Sequence, residues 1–488
     1  KIIIYQLLPR LFGNSNANCV PNGTIEQNGC GKFNDITPKA LRAIRDMGAT
    51  HVWYTGVIEH TTRSDYSKYG IPTDHPAIVK GEAGSPYAIK DYYDNDPDLA
   101  VNVEKRREEF KALIDRTHKA GLKGIMDFIP NHVARHYHSD CTPKGTYSFG
   151  EHDDKNVFYA GHNNFYYLGN SSYGCNLDAK DCADEEYSET PLRATGNDCF
   201  GSPGRNDWYD TVKLNYGVDY HNNNRYFEPI PNTWYKMLNI LRYWCEKGVD
   251  GFRVDMAEMV PVEFWYWSIE MLRESYDAIM IAEIYQPHLY KEYVNAGFDY
   301  LYDKVGLYNT LENIYRYGQR AESITGVWNS LQGLGDVMLR FMENHDEVRL
   351  ASKHFIGDPF KALPAVAMSA LMNRGPFMIY NGQECGEDAE GAVGFSGDDG
   401  RTSIFDYAVM PEHQKWMSKG KFDGSGFSDK QRKLYDFYRK ILNFRLNSDA
   451  INKGAFYDLM WVNPWHSNFD PQYVYAFLRY HDEERLLV

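Results

Sequence analysis

VDGFRVD, residues Val249 to Asp255, is the stretch on which the fold turns. Its apolar, β-prone run ends in charge. Arg253 and Asp255 stand two residues apart, so on a strand both side chains point the same way. A strand that is apolar along its length and polar at its C-terminal end suits a closed parallel barrel, because the βα loops converge at that end. Seven comparable runs recur, at Ile2–Leu8, His51–Thr55, Gly124–Ile129, Ala278–Ala282, Phe298–Tyr302, Val337–Met342 and Pro376–Tyr380. Longer amphipathic stretches separate them. Eight strands alternating with helices predict an α/β fold, a (β/α)₈ or TIM barrel.

Working outward, the helices between these runs carry their own punctuation. Pro38–Met47 opens after Thr37, and Val103–Ala120 ends at Gly121, which is the expected cap chemistry. The rhythm breaks after Ile129, where a long segment rich in Gly, Asn, Asp, His, Tyr and Cys runs on until helical pattern resumes near Thr233. No ordinary βα loop is that long, so a subdomain overhanging the barrel mouth is expected. The helix around Lys430–Leu446 closes the barrel, and Ala455–Val488 turns β-like, with alternation in Tyr473–Arg479. The predicted division is a barrel over 1–131 and 216–448, an insertion over 132–215, and the start of a truncated C-terminal β domain over 449–488.

Composition narrows the partners. A formal charge of −15 repels phosphate backbones and anionic lipid surfaces, which argues against nucleic acid or membrane as partner and leaves a neutral substrate unpenalised. Flat rings with polar tips are abundant, with 38 Tyr and 10 Trp, and suit sugar faces. No apolar stretch approaches the roughly 20 residues of a membrane span, and the chain opens without a basic, signal-like leader. Cys19 and Cys30 flank an Asn/Gly-rich loop, and Cys141, Cys175, Cys182 and Cys199 crowd one irregular segment. That clustering predicts disulfides and an extracytoplasmic setting, with any export signal removed; Cys19 with Cys30 is the one pairing that can be named. Cys245 and Cys385, in apolar surroundings, read as buried free thiols. Oligomeric state leaves no trace in the sequence.

Polar residues gather where a barrel would place its chemistry. Asp127 ends strand three with Asn131 and His132 beyond it; Arg253 and Asp255 end strand four; Glu283 ends strand five; Asn344, His345 and Asp346 end strand seven. Splitting a glycosidic bond takes one carboxyl group to protonate the leaving oxygen and a second to attack or stabilise the oxocarbenium-like centre. Arg253 should depress the pKa of Asp255 and keep it ionised as nucleophile. Glu283, in the apolar run Ile279–Ile284, should stay protonated as general acid. Asp346 adds a third acid, and three acids converging in one mouth cost stability unless they are used.

These stretches carry a family resemblance. DFIPNH (Asp127–His132), GFRVD (Gly251–Asp255), the Ala282–Glu283 pair and ENHD (Glu343–Asp346), in this order, resemble the four signature regions of glycoside hydrolase family 13, the α-amylase family. IYQLLPR (Ile4–Arg10), the GSPY segment ending at Tyr87 and GPFMIYNGQE (Gly375–Glu384) resemble its first strand, early aromatic loop and eighth strand. The resemblance implies Asp255 as nucleophile, Glu283 as acid/base and Asp346 as the residue gripping the distorted sugar's hydroxyls. It also implies that Asp127, His132, Arg253 and His345 bind sugar and that Tyr87 stacks beneath the ring. The activity it implies is hydrolysis of α-glucosidic bonds, mainly α-1,4, in starch-derived glucans or maltooligosaccharides. A transglycosylase of the same fold, or a non-catalytic barrel relative, are the alternatives.

Two departures qualify the carry-over. Glu258 and Met259 stand where many amylases have a Lys-His pair, so the acceptor side should differ. Val212-Lys213-Leu214-Asn215 places a lysine where calcium-dependent relatives often have an aspartate. Asn131 offers one oxygen to a structural Ca²⁺, but a lysine cannot ligate a hard cation. No cofactor is needed for the chemistry. The Lys-Leu-Asn pattern is closer to the neopullulanase-like branch, which points to maltooligosaccharides, cyclodextrin or pullulan. The Asn14–Asn34 loop is a second oxygen-rich stretch, more readily explained by turn-forming Asn and Gly.

Overall fold

In a computed structural model whose described residues are 1–169, 187–392, 394–463 and 466–488, eight parallel strands close a barrel. They are β1 (Ile3–Leu7), β2 (His51–Tyr54), β3 (Lys123–Phe128), β4 (Gly251–Val254), β5 (Ile279–Ala282), β6 (Tyr300–Tyr302), β7 (Met338–Phe341) and β8 (Phe377–Tyr380), with β8 pairing back on β1. Each apolar run of the sequence coincides with one strand, its ends moved by one or two residues. The strands are buried on both faces, by one another's side chains inside and by the helices outside. Gly251 opens β4 where the neighbouring strand runs close: a Cβ there would stand 2.6 Å from the Ile279 carbonyl oxygen.

Local chemistry sets the helix ends. Thr37 caps Pro38–Met47 by accepting the Ala40 N–H, with Pro38 in the first turn. Ser428 and Gln431 form a reciprocal capping box at the start of Asp429–Asn447. The segment predicted as one helix from Val103 instead begins with a 3₁₀ turn, Val103–Lys105, before Arg106–Lys119.

Additional elements decorate the mouth. After β2, Ile58–His60 pairs antiparallel with Ile89–Asn95. After β3 the chain leaves through His132–Ala134 and returns through Thr211–Lys213, paired antiparallel, so both ends of the intervening segment are pinned to the barrel rim. The helix Asn232–Glu246 resumes the barrel. At the C-terminal end, Ala455–Asp458, Phe477–His481 and Glu484–Leu487 form a three-stranded antiparallel sheet. Buried Arg479 fastens it by donating to the carbonyls of Met372, Ala450, Ile451 and Gly454 at 2.8–3.2 Å. Among the described residues no helix is long and apolar enough to cross a membrane.

The expected Cys19–Cys30 disulfide is absent, and both thiols are free. They face different groups: Cys19 Sγ the Tyr407 carbonyl, Cys30 Sγ the carbonyls of Gly31 and Asp98. The loop is held instead by its asparagines, whose amides bind backbone carbonyls within the loop and across to Tyr407 and Ala408. Cys141 and Cys199 are also free, while Cys175 and Cys182 lie outside the described residues. Cys245 and Cys385 are buried thiols, as their apolar surroundings predict.

Candidate active site

Strand register builds the site. Arg253 on β4 lies directly opposite Asp127 on β3, and Val254 lies opposite Ala282 on β5, so the next residues, Asp255 and Glu283, leave the barrel side by side. Backbone bonds continue the ladder through them, Asp255 N–H to the Phe128 carbonyl and Glu283 N–H to that of Val254. Arg253 therefore sits beneath three carboxylates. Nη1 donates to Asp127 Oδ1 (3.2 Å) and Asp255 Oδ1 (3.0 Å), while Nη2 makes an ion pair with Glu283 Oε1 at 2.9 Å without hydrogen-bond alignment. Its Nε donates to Tyr302 Oη at 3.1 Å. One guanidinium thus gathers acids that are far apart in the chain.

A second network holds the β7 end. Tyr87 Oη donates to Asp127 Oδ1 (3.1 Å) and lies 2.7 Å from His345 Nε2, and the two rings stack at 5.3 Å. Gln6 reaches His345 Nδ1 at 2.8 Å, and His345 Nε2 is 3.1 Å from Asp346 Oδ2. The Asn344 side chain accepts the Asp346 N–H. Trp53 donates to the other oxygen of Asp127 at 2.8 Å.

Above these residues opens a cavity of about 580 Å³. Tyr87, His132, Asp255, Glu283, His345 and Asp346 line it; Asp127 and Arg253 lie underneath and hold the lining in place. Sequence reasoning missed Tyr285 and Met256, which line it too. Tyr285 donates to Glu283 Oε1 at 2.5 Å, and Met256, in a left-handed conformation (φ 41°), gives its N–H to Glu283 Oε2 at 2.8 Å. Such a conformation is costly for a side chain with a Cβ and points to a tightly determined site. Tyr285 was foreseeable, since it follows Glu283 by two. The upper walls were not: Trp208, Tyr209 and Asp210 come from the insertion, and Lys80, Phe405 and Asp406 from remote loops.

The electrostatics correct one expectation. Asp255 is not depressed by Arg253; burial first, then the charge of Glu283, push its pKa well above the ordinary carboxylate value, and Arg253 only opposes this. Burial also raises Asp127 to about 6 and Asp346 to about 7. Burial lowers His132 to about 3 and His345 well below its usual value, so both imidazoles are neutral.

The Lys-His departure has a structural counterpart: Glu258 accepts the N–H groups of Tyr285 and Gln286, each at 3.1 Å, and thereby fixes the loop carrying Tyr285. Asn131 does not suit a metal. Its Oδ1 accepts from the buried Lys213 ammonium at 2.6 Å, and its Nδ2 donates to the Gly196 carbonyl. A cation there would meet a fixed positive charge, so the residues present do not fit calcium.

The model of the α-amylase catalytic domain matches residues 6–454. Among curated proteins the chain is similar to a cyclomaltodextrin glucanotransferase of Geobacillus stearothermophilus, 21% identical over 94% of this chain and 56% of that protein, so it spans little more than half of that relative's length. It is also similar to a probable oligo-1,6-glucosidase of Bacillus subtilis, 22% identical over 100% of this chain and 89% of that one. Among solved structures, the cyclic alpha-maltosyl-(1→6)-maltose hydrolase of Arthrobacter globiformis superposes with a TM-score of 0.64 at 19% identity, covering 100% of this chain and 90% of the other, a likeness of fold. With the family's catalytic domain matched over nearly the whole chain, on a closed eight-stranded barrel, this protein belongs to the α-amylase family.

Proposed function

We propose that this chain is a retaining glycoside hydrolase that cleaves α-glucosidic bonds, mainly α-1,4, in maltooligosaccharides or related glucans. The observation that carries the reading is the convergence of Asp255 and Glu283 on the two terminal nitrogens of Arg253 at the floor of a sugar-sized cavity. Asp255 is the nucleophile and forms the glycosyl ester as Glu283 protonates the leaving oxygen; Glu283 then takes a proton from water as the ester is hydrolysed. The scheme requires a protonated Glu283 and an ionised Asp255 in the substrate complex. Asp346 and His345 grip hydroxyls of the distorted sugar, and Tyr87 underlies its ring.

Lys213 between the insertion and Asn131 agrees with the neopullulanase-like pattern, so cyclodextrin and pullulan belong among the substrates to test. The test is a product profile on maltoheptaose, cyclodextrin and pullulan with the anomers followed by NMR. Initial release of α-anomers is expected, and β-anomers would overturn double displacement. The ratio of hydrolysis to disproportionation from maltotriose tells this reading from a transglycosylase, which would keep every residue named here.

A further inference from the structure

Away from the cavity, a second group of acids lies where the hairpin after β2 meets the loop that enters the insertion. Asp91, Asp94, Asp140 and Cys141 each offer one ligand atom, and these atoms lie within 4.8 Å of one another. Asp91 and Asp94 are fully buried; Asp140 and Cys141 sit at the rim. Three residues apart on a strand, the two aspartates would ordinarily face opposite ways. A register shift makes the difference: Glu59 pairs with Asp91 while Ile58 pairs with Asn95, and the intervening bulge turns Asp94 back towards Asp91.

Glu59 adjoins the group. It stands directly across from Asp91, so both side chains share one face of the hairpin. It is 2% exposed, and its Oε2 has no hydrogen-bond partner among the described residues. A buried carboxylate oxygen left without a donor is expensive. The available cations do not meet the need. Arg106 is committed to Asp94, Arg107 faces Cys141 Sγ, and Lys90 turns away to Asp74 and the Pro72 carbonyl. Asp91 is met by the N–H groups of Tyr93, Asp140 and Cys141, and no donor reaches Glu59 Oε2 among the described residues.

We propose that Asp91, Asp94, Asp140 and Cys141 form a binding site for a divalent cation of borderline softness, zinc in the first place, with the unpartnered carboxylate of Glu59 beside the ligands. Carboxylate oxygens and a thiolate are a zinc donor set, whereas calcium takes oxygen alone. Zinc bonds of about 2.0–2.3 Å require the ligands to close in by roughly 1 Å. Binding displaces the Cys141 proton, and any proton on the carboxyls, to solvent. The ion would fasten residues 139–141, at the entrance of the insertion, to the hairpin beneath them.

The test uses the full chain stripped with chelator and titrated with zinc chloride by calorimetry and with cobalt(II) by absorption. One equivalent of zinc should bind with release of protons, and cobalt should give a near-ultraviolet thiolate charge-transfer band. Cys141→Ser should abolish the band, and Glu59→Gln should weaken zinc on the order of 10–100-fold with unchanged circular dichroism. If Glu59→Gln does not fold, Asp140→Asn at the exposed rim replaces it. Absence of stoichiometric binding, binding indifferent to these substitutions, or a site that takes calcium and yields no thiolate band each overturns the proposal.

Discussion

Two clusters of buried acid flank the same barrel end, one around Arg253 and one around Arg349, and among the described residues the first opens onto the 580 Å³ cavity while the second does not line it. Around Arg349 every acid finds protein donors. Glu343 accepts from Arg349 Nη1 (2.9 Å) and the Leu350 N–H (2.7 Å); Glu384 from Tyr5 Oη (2.6 Å) and the Gly382 N–H (3.1 Å); Glu387 from the N–H groups of Glu412 and His413. Around Arg253, Asp255 Oδ2 accepts nothing from the described residues, and the Asp346 side chain is 34% exposed, facing the cavity. Burial raises acids in both: Glu384 and Glu387 to about 7, Asp346 to about 7 and Asp127 to about 6. A raised pKa therefore does not distinguish structure from chemistry here. Unmet acceptor capacity beside an open cavity does.

The sharpest way to break this contrast is substitution at the mouth. Glu283→Gln should lower kcat on oligosaccharide substrates by ~10²–10⁴-fold, the ordinary share of general acid–base catalysis, with thermal stability nearly unchanged; Asp255→Asn should cost at least as much. Retained turnover would remove these residues from the mechanism. Arg349→Met should do the reverse. It strands Glu343 without its cation and should cost about 3–5 kcal/mol in urea unfolding, while folded protein keeps its kcat. A stable but inactive Arg349 variant would erase the distinction.

Smaller effects sharpen the picture. Tyr285→Phe removes a hydrogen bond to Glu283 worth about 1.5–3 kcal/mol if the carboxylate is charged, so kcat/KM should fall by roughly 10–100-fold. The pH profile tests the raised pKa of Asp255. The nucleophile must be ionised, and burial together with the charge of Glu283 raises its pKa, so the productive form is present at higher pH and lost as pH falls through the raised value. The acidic limb of kcat/KM should accordingly lie well above the ordinary aspartate value of about 4. A limb at that ordinary value would show that burial does not govern the ionisation of Asp255.

How much was legible follows from what each pattern encodes. The barrel strands could be read because a buried parallel strand needs an unbroken apolar run, and eight such runs stand in order between amphipathic helices. Asp127, Arg253, Asp255, Glu283 and Asp346 were legible for the same reason, as polar residues at the ends of those runs. Trp208, Tyr209 and Lys80 were not, because they sit in irregular segments where no period marks which side chain turns inward. The Cys19–Cys30 pairing failed because proximity in sequence does not orient two thiols, and the asparagines of that loop already hold it closed.

Periodicity and strand-end chemistry thus determined, from the sequence alone, that eight strands would converge their acids on one rim, since a strand's direction and alternation are local properties. Which charge dominates at Asp255, that Lys213 fills the place beside Asn131, and that a bulge turns Asp94 towards Asp91 were decided only in three dimensions. Burial and Coulomb interaction depend on neighbours that the chain brings together from hundreds of residues apart.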